Sequence, residues 1–207
     1  MKGFFITFEG GEGAGKTTLI DQVYAHLQGQ SLKVLKTRAP GGTKAGESIR
    51  ELVLHHKGIS LFSRAELLLF LADRAQHVDE VILPALQQGT IVLCDRFNDS
   101  TVAYQGGARG LDVATVKELC AFASHNLQPN LTLYLDLDPK LGLERVNKLG
   151  SGKDKIELEK LSFHEKIRRA FHTIAKEEPE RFHLLDASLS PEEVFLKAMQ
   201  VIQPYLE

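Results

Sequence analysis

The run Gly10-Gly11-Glu12-Gly13-Ala14-Gly15-Lys16-Thr17 restricts this chain more than any other stretch. It is a complete G-x-x-x-x-G-K-T. Residues 4–8 before it are apolar and β-favouring, and residues 18–27 after it place apolar side chains at helical spacing. Strand, glycine loop and helix together make a phosphate cradle. Glycines let successive backbone N–H groups converge on phosphate oxygens, and the helix start adds partial positive charge. The nucleotide-binding set is therefore Gly10, Gly11, Glu12, Gly13, Ala14, Gly15, Lys16, Thr17 and Thr18. Lys16 is expected to reach the β- and γ-phosphates of a nucleoside triphosphate, and the Thr17 hydroxyl to ligate Mg²⁺.

Such a loop needs a parallel sheet behind it, and the rest of the chain supplies one. Apolar runs over 4–8, 33–37, 90–94, 131–135 and 182–185 read as strands. They alternate with helix-length stretches near 16–29, 44–56, 63–87, 112–125, 139–148, 162–177 and 191–206. This pattern predicts a three-layer α/β fold, a five-stranded parallel sheet with helices on both faces. With 207 residues, a single domain 1–207 is expected. Gly89 reads as a helix stop, and Ser190-Pro191-Glu192-Glu193 as a helix start.

Charge and cysteine usage remove several function classes. A net charge of −2 offers no surface for gripping DNA or an anionic membrane. No run of about 18 apolar residues is present, and no signal peptide is visible. Cys94 and Cys120 lack zinc or redox spacing, and Cys94 sits in an apolar strand run. A reducing cytoplasm is expected.

Ligands of open α/β sheets gather beyond the strand C-termini. The first strand ends in Glu9, the second in Arg38-Ala39-Pro40-Gly41-Gly42-Thr43, and the third runs into Asp95-Arg96-Phe97. Asp95 is favoured over Asp136 as the carboxylate organising Mg²⁺, because Arg96 follows it with a guanidinium for a second phosphate. Asp138-Pro139 reads as a helix start. A GTP switch would need Asn-Lys-x-Asp, and Asn147-Lys148-Leu149-Gly150 lacks the aspartate. Phe70 and Arg74 are four apart and share a helix face. That pair suits core and surface roles, or a face that stacks a base and bonds its edge. The basic, glycine-punctuated residues 148–155 read either as a solvated loop or as a lid.

Taken together, these residues resemble the thymidylate kinase (dTMP kinase) family over nearly the whole chain. The resemblance rests on Phe8-Glu9-Gly10 with the P-loop, Arg38-x-Pro40-Gly41-Gly42-Thr43, Phe70-x-x-x-Arg74-x-Gln76, Asp95-Arg96-Phe97, Tyr104-Gln105-Gly106-Gly107 with Arg109-Gly110, and Leu135-Asp136. It implies a homodimer of the P-loop kinase fold that phosphorylates dTMP to dTDP with ATP and Mg²⁺. It further implies that Phe70 stacks on thymine, Arg74 bonds its carbonyl edge, and Ser100 and Thr101 lie near its N3 side. Tyr104 would crowd the ribose 2′ position and Glu12 would meet the 3′-hydroxyl. Arg38 and Arg96 would hold the dTMP phosphate, with Gln105 also near the nucleotide. Glu9 joins this substrate set and, with Asp95, is a candidate for placing Mg²⁺.

Two departures stand out. Family members place a final arginine in the P-loop or in the lid, here approximately 148–160. The residue after Glu12 is Gly13, and the lid pattern reads Asp154-Lys155-Ile156-Glu157 after Lys153. Lys16, Arg96, Lys153 and Lys155 are thus the expected catalytic cations, with Arg145 able to compensate for the missing lid guanidinium. An arginine finger is worth about 10³–10⁵ in rate, and lysine lacks its bidentate fork. The second departure is Ala39, where the family has Glu. The rival readings are a kinase for UMP/CMP or a deoxynucleoside, and a regulatory module that binds ATP without transfer.

Overall fold

A computed structural model describes residues 3–56, 58–149 and 154–206. Strands β1 (Phe4–Gly10), β2 (Val34–Arg38), β3 (Ile91–Asp95), β4 (Leu131–Asp136) and β5 (Phe182–Asp186) pair in the order β2-β3-β1-β4-β5, all parallel. Each expected apolar run becomes a strand and reaches one or two residues further toward its C-terminal end. The three inner strands are almost wholly buried, whereas β2 and β5 at the edges keep partly exposed positions. Continuous apolar runs follow from coverage on both faces.

One face is covered by α1 (Lys16–Gly29) and α9 (Pro191–Ile202), which bury Leu19, Val23, Leu27, Val194 and Ile202 against Ile6, Phe8 and Leu133. The other face carries α3 (Ser63–His77), α6 (Val113–Ala123) and α8 (Leu161–Glu177). The 44–56 stretch forms α2 (Lys44–Arg50) and a wide π turn, Glu51–His55. Another π turn, Val78–Ile82, joins α3 to α4 (Leu83–Gln87). Both local signals hold. Gly89 takes φ +74° after α4, and Ser190 and Glu193 make a reciprocal capping box on α9.

One helix was not anticipated. After β3 the chain forms α5 (Asn98–Thr101) and continues as a π helix through Val102–Ala108. Thr101, Val102, Gly106 and Gly107 are poor helix formers, and no side chain caps its start. Tertiary packing holds it instead. Ala103 is fully buried, and Gly107 lies so close to α8 that an added Cβ would sit 2.6 Å from the Ala170 methyl. This helix carries much of the site.

Candidate active site

Strand register brings the functional residues to one edge. Arg38 pairs with Asp95 across β2 and β3, and Asp95 with Phe8 across β3 and β1. A cleft of ≈ 870 Å³ opens beyond that edge, lined by the P-loop at one end and by Phe70, Arg74, Ser100, Thr101, Tyr104 and Gln105 at the other.

At the P-loop end, α1 starts at Lys16 after Gly15 (φ +90°) with no side-chain cap, so its first N–H groups remain available to an anion. Lys16 Nζ bridges the carbonyls of Gly10 and Gly11, 3.2 Å from each. Burial and the neighbouring Arg96 hold its pKa below the ordinary lysine value. Gly13 has a steric reason to be glycine. Its φ is +68°, and a Cβ there would lie 2.2 Å from the carbonyl oxygen of Gly142, a residue of α7 (Pro139–Leu149). No arginine fits that position unless α7 retreats.

Asp95 and Thr17 both line the cleft, and Asp95 Oδ1 is buried without a hydrogen-bond partner. Such an orphan oxygen suits a cation or its water shell. Asp136 is committed elsewhere. It takes two hydrogen bonds from Arg168, at 2.7 and 3.0 Å, and faces His172. Burial opposes its charge, yet these partners keep its pKa below the usual value. The residues present therefore fit Mg²⁺ at Thr17 and Asp95.

The wall between the two ends is a wired cluster. Arg96 adopts a left-handed conformation, φ +69°. Its Nη2 donates to Glu12 Oε1 at 2.8 Å and its Nη1 to Ser100 Oγ at 3.2 Å, while the guanidinium lies 5.0 Å from the Tyr104 ring centre. The Tyr104 hydroxyl donates to the same Glu12 oxygen at 3.0 Å. Burial works against the Glu12 charge, but Arg96, Lys16 and Tyr104 outweigh it and hold its pKa below the usual value. Arg96 is likewise held fully charged by this anionic surround against its own desolvation.

Glu9, expected among the substrate contacts, lies behind this wall. It is fully buried in β1 and accepts hydrogen bonds from Phe97 N (2.8 Å), Ser100 N (3.3 Å) and Ser100 Oγ (2.5 Å). Burial, with Asp99 nearby, raises its pKa to about 7. Its role is to pin the strained turn that aims Arg96.

At the far end Arg74 is 3% exposed, 4.4 Å from the Phe97 ring centre, and its Nε and Nη1 have no partner. Phe70 lines the cleft beside it, whereas Gln76 faces solvent and bonds Glu80. Gln105 lines the cleft but donates to Glu66, which also receives Arg109. Arg38 is half exposed and paired through Nη2 with both oxygens of Glu47, at 2.9 and 3.0 Å. Glu47 thus supplies a carboxylate to the loop in which Ala39 has none. Arg50, missed in the sequence, lines the cleft and donates to Pro40 O. Its signal was there: Arg50 follows Glu47 by three residues on α2.

Lys155, expected among the catalytic cations, is bonded away from the cleft. Lys155 Nζ donates to the carbonyls of Leu52 (3.3 Å) and Ile59 (2.9 Å), and its N–H to Leu54 O. That ammonium satisfies backbone oxygens at the end of the α2 turn and does not line the cleft. Lys153 lies outside the described residues. Among the described residues, Arg145 and Lys148 line the cleft along with Lys16. Arg145 Nη1 donates to Gly13 O (3.4 Å) and Ala187 O (3.1 Å).

A P-loop set against a second, side-chain-built pocket, with a guanidinium between them, defines a P-loop kinase for a small phosphorylated acceptor. The thymidylate kinase family model matches residues 8–197. The chain is 50% identical to the thymidylate kinase of Protochlamydia amoebophila, over 98% of this chain and 93% of that one, and 49% identical to that of Desulfovibrio desulfuricans, over 98% and 96%. The crystal structure of thymidylate kinase from Ehrlichia chaffeensis superposes with a TM-score of 0.79 at 34% identity, covering 98% of this chain and 99% of that one. The chain belongs to the thymidylate kinase family.

Proposed function

We propose that this protein transfers the γ-phosphoryl group of ATP to a phosphate oxygen of dTMP, giving dTDP and ADP. The observation that carries the acceptor assignment is Arg74. A buried guanidinium with two unpartnered nitrogens is costly unless a ligand accepts from them. Phe70 beside it supplies an apolar face for a flat ring. A pyrimidine with ring carbonyls satisfies both.

The remaining roles follow from position. The uncapped start of α1 and Lys16 take the donor phosphates. Mg²⁺, held by Thr17 and Asp95, would offset charge on the β- and γ-phosphates. Arg96, between the two ends, faces the negative charge that builds during transfer, and Arg38 and Arg50 hold the acceptor phosphate. Little covalent work is asked of the protein, because positioning and charge neutralisation dominate phosphoryl transfer. The acceptor is already a phosphate oxygen, so no general base is required. Tyr104, bonded to Glu12, stands where a ribose 2′-hydroxyl would need room. Arg145 and Lys148 take the donor-side part first expected of Lys155, and residues 148–160 serve as the lid.

Homodimerisation is part of this reading. Within 67–71, Leu67 and Leu71 are buried core but Leu68 is 59% exposed, and Phe122 on the neighbouring α6 is 84% exposed. These side chains support a dimer through α3 and α6. No helix among the described residues is long and apolar enough to cross a membrane. The two cysteines are buried and unpaired, in keeping with the cytoplasm. A coupled assay of ADP release with dTMP, dUMP, UMP and CMP tests the reading. dTMP should be the best acceptor; UMP or CMP ahead of it, or no acceptor-dependent release, would refute it.

A further inference from the structure

A second, much smaller cavity adjoins the P-loop. It measures ≈ 10 Å³ and is lined by Gly11, Glu12, Tyr134, His164 and Arg168 among others. That is about the room one water needs, provided polar groups face it. Arg168 and the Tyr134 hydroxyl are turned to Asp136. The polar groups left to the cavity are the Glu12 carboxylate, the Gly11 backbone and His164.

His164 stands in the first turn of α8, 5% exposed, and its Nε2 is buried without a partner. Its ring also lies beside the backbone of Glu159, where the 148–160 segment meets α8. Burial holds the imidazole below its ordinary pKa, against the pull of Glu12, Glu159 and Asp154. With the proton on Nδ1, Nε2 is an acceptor. Glu12 is an acceptor too. Its Oε1 already receives Arg96 and Tyr104, which leaves Oε2 for a further donor. Two acceptors cannot bond each other, but a molecule with two O–H donors joins them.

We propose that one internal water donates to His164 Nε2 and to Glu12 Oε2, making His164 a positioning residue for Glu12. The chain from Glu159 through His164 and the water to Glu12 then ties the base of the lid to the acceptor site. This inference rests on the reading of Glu12 as an acceptor-site group.

The test combines density and kinetics. A high-resolution crystal structure of the unsubstituted protein should show a water within hydrogen-bond distance of both atoms. His164→Asn keeps a donor at the Nδ1 position and loses the Nε2 acceptor, whereas His164→Gln places an amide near Nε2. The Asn variant should raise KM for dTMP about fivefold, as loss of one hydrogen bond would, with KM for ATP and kcat unchanged. The Gln variant should return to within about twofold of the parent. A cavity without density, or Asn and Gln variants that behave alike, would overturn the proposal. Glu12→Gln separates the two ideas. If it leaves KM for dTMP unchanged, the acceptor role of Glu12 falls, while the density still decides the bridge.

Discussion

The two sides of the cleft handle positive charge differently. On the wall formed by β3 and α5, Arg96 is held by Glu12, Ser100 and Tyr104, with Glu9 pinning the turn from behind. On the lid side, Lys155 spends its ammonium on the carbonyls of Leu52 and Ile59. A guanidinium braced by several partners keeps one direction in which to act, whereas Lys155, outside the cleft lining, holds a loop. A charge preorganised where negative charge develops costs no rearrangement at the moment of reaction.

Removing charge at the P-loop end of the cleft should hurt most. Lys16→Ala is expected to lower kcat by about 10²–10³ with the fold intact, read by steady-state ADP release and circular dichroism; a fall under tenfold would move the transfer charge elsewhere. Arg74→Ala comes next. It should raise KM for dTMP by about 10–100-fold, the cost of bonds to a buried charged donor, and leave KM for ATP alone. Equal losses for both nucleotides would sink the base-edge assignment.

Buried titratable groups also predict a pH signature in stability. His77 is fully buried, 2.7 Å from Thr37 Oγ1, and burial lowers its pKa to about 4 from an ordinary 6.5. A depressed pKa means its contribution is complete above pH 6.5 and is lost as pH falls toward 4, by about 3 kcal/mol. Glu9, raised to about 7, acts with the opposite sign between pH 4.5 and 7. The difference between His77→Gln and its parent in urea unfolding isolates the histidine. Parallel curves across pH 4–6.5 would exclude it. Smallest of all, Lys155→Ala and Lys155→Arg should each keep kcat within about threefold. A tenfold change in either would return Lys155 to the reaction.

Much of the fold could be read before any coordinates, because it depends on local chemistry. Apolar runs, Gly89 and the Ser190 capping box are decided by neighbouring residues. The P-loop between β1 and α1 was legible for the same reason. What stayed hidden depends on contacts distant in sequence. The π helix through Val102–Ala108 packs on α8 where Gly107 approaches Ala170, a contact distant in sequence. Glu9 faces inward because its hydrogen-bond donors, 88 and 91 residues away, sit beneath Arg96. Lys155 reaches carbonyls about a hundred residues earlier, at separations of 103 and 96. Gly13 shows its reason only once α7 stands against it.

Whether the braced arginine carries the transfer is tested most directly by Arg96→Lys in rapid-quench single turnover. The substitution keeps the charge but loses the fork that spans Glu12 and Ser100. The transfer rate should fall by about 10²-fold at saturating dTMP. A rate within about threefold of the parent would show that charge alone suffices, and that the wiring around Arg96 serves the fold and not the reaction.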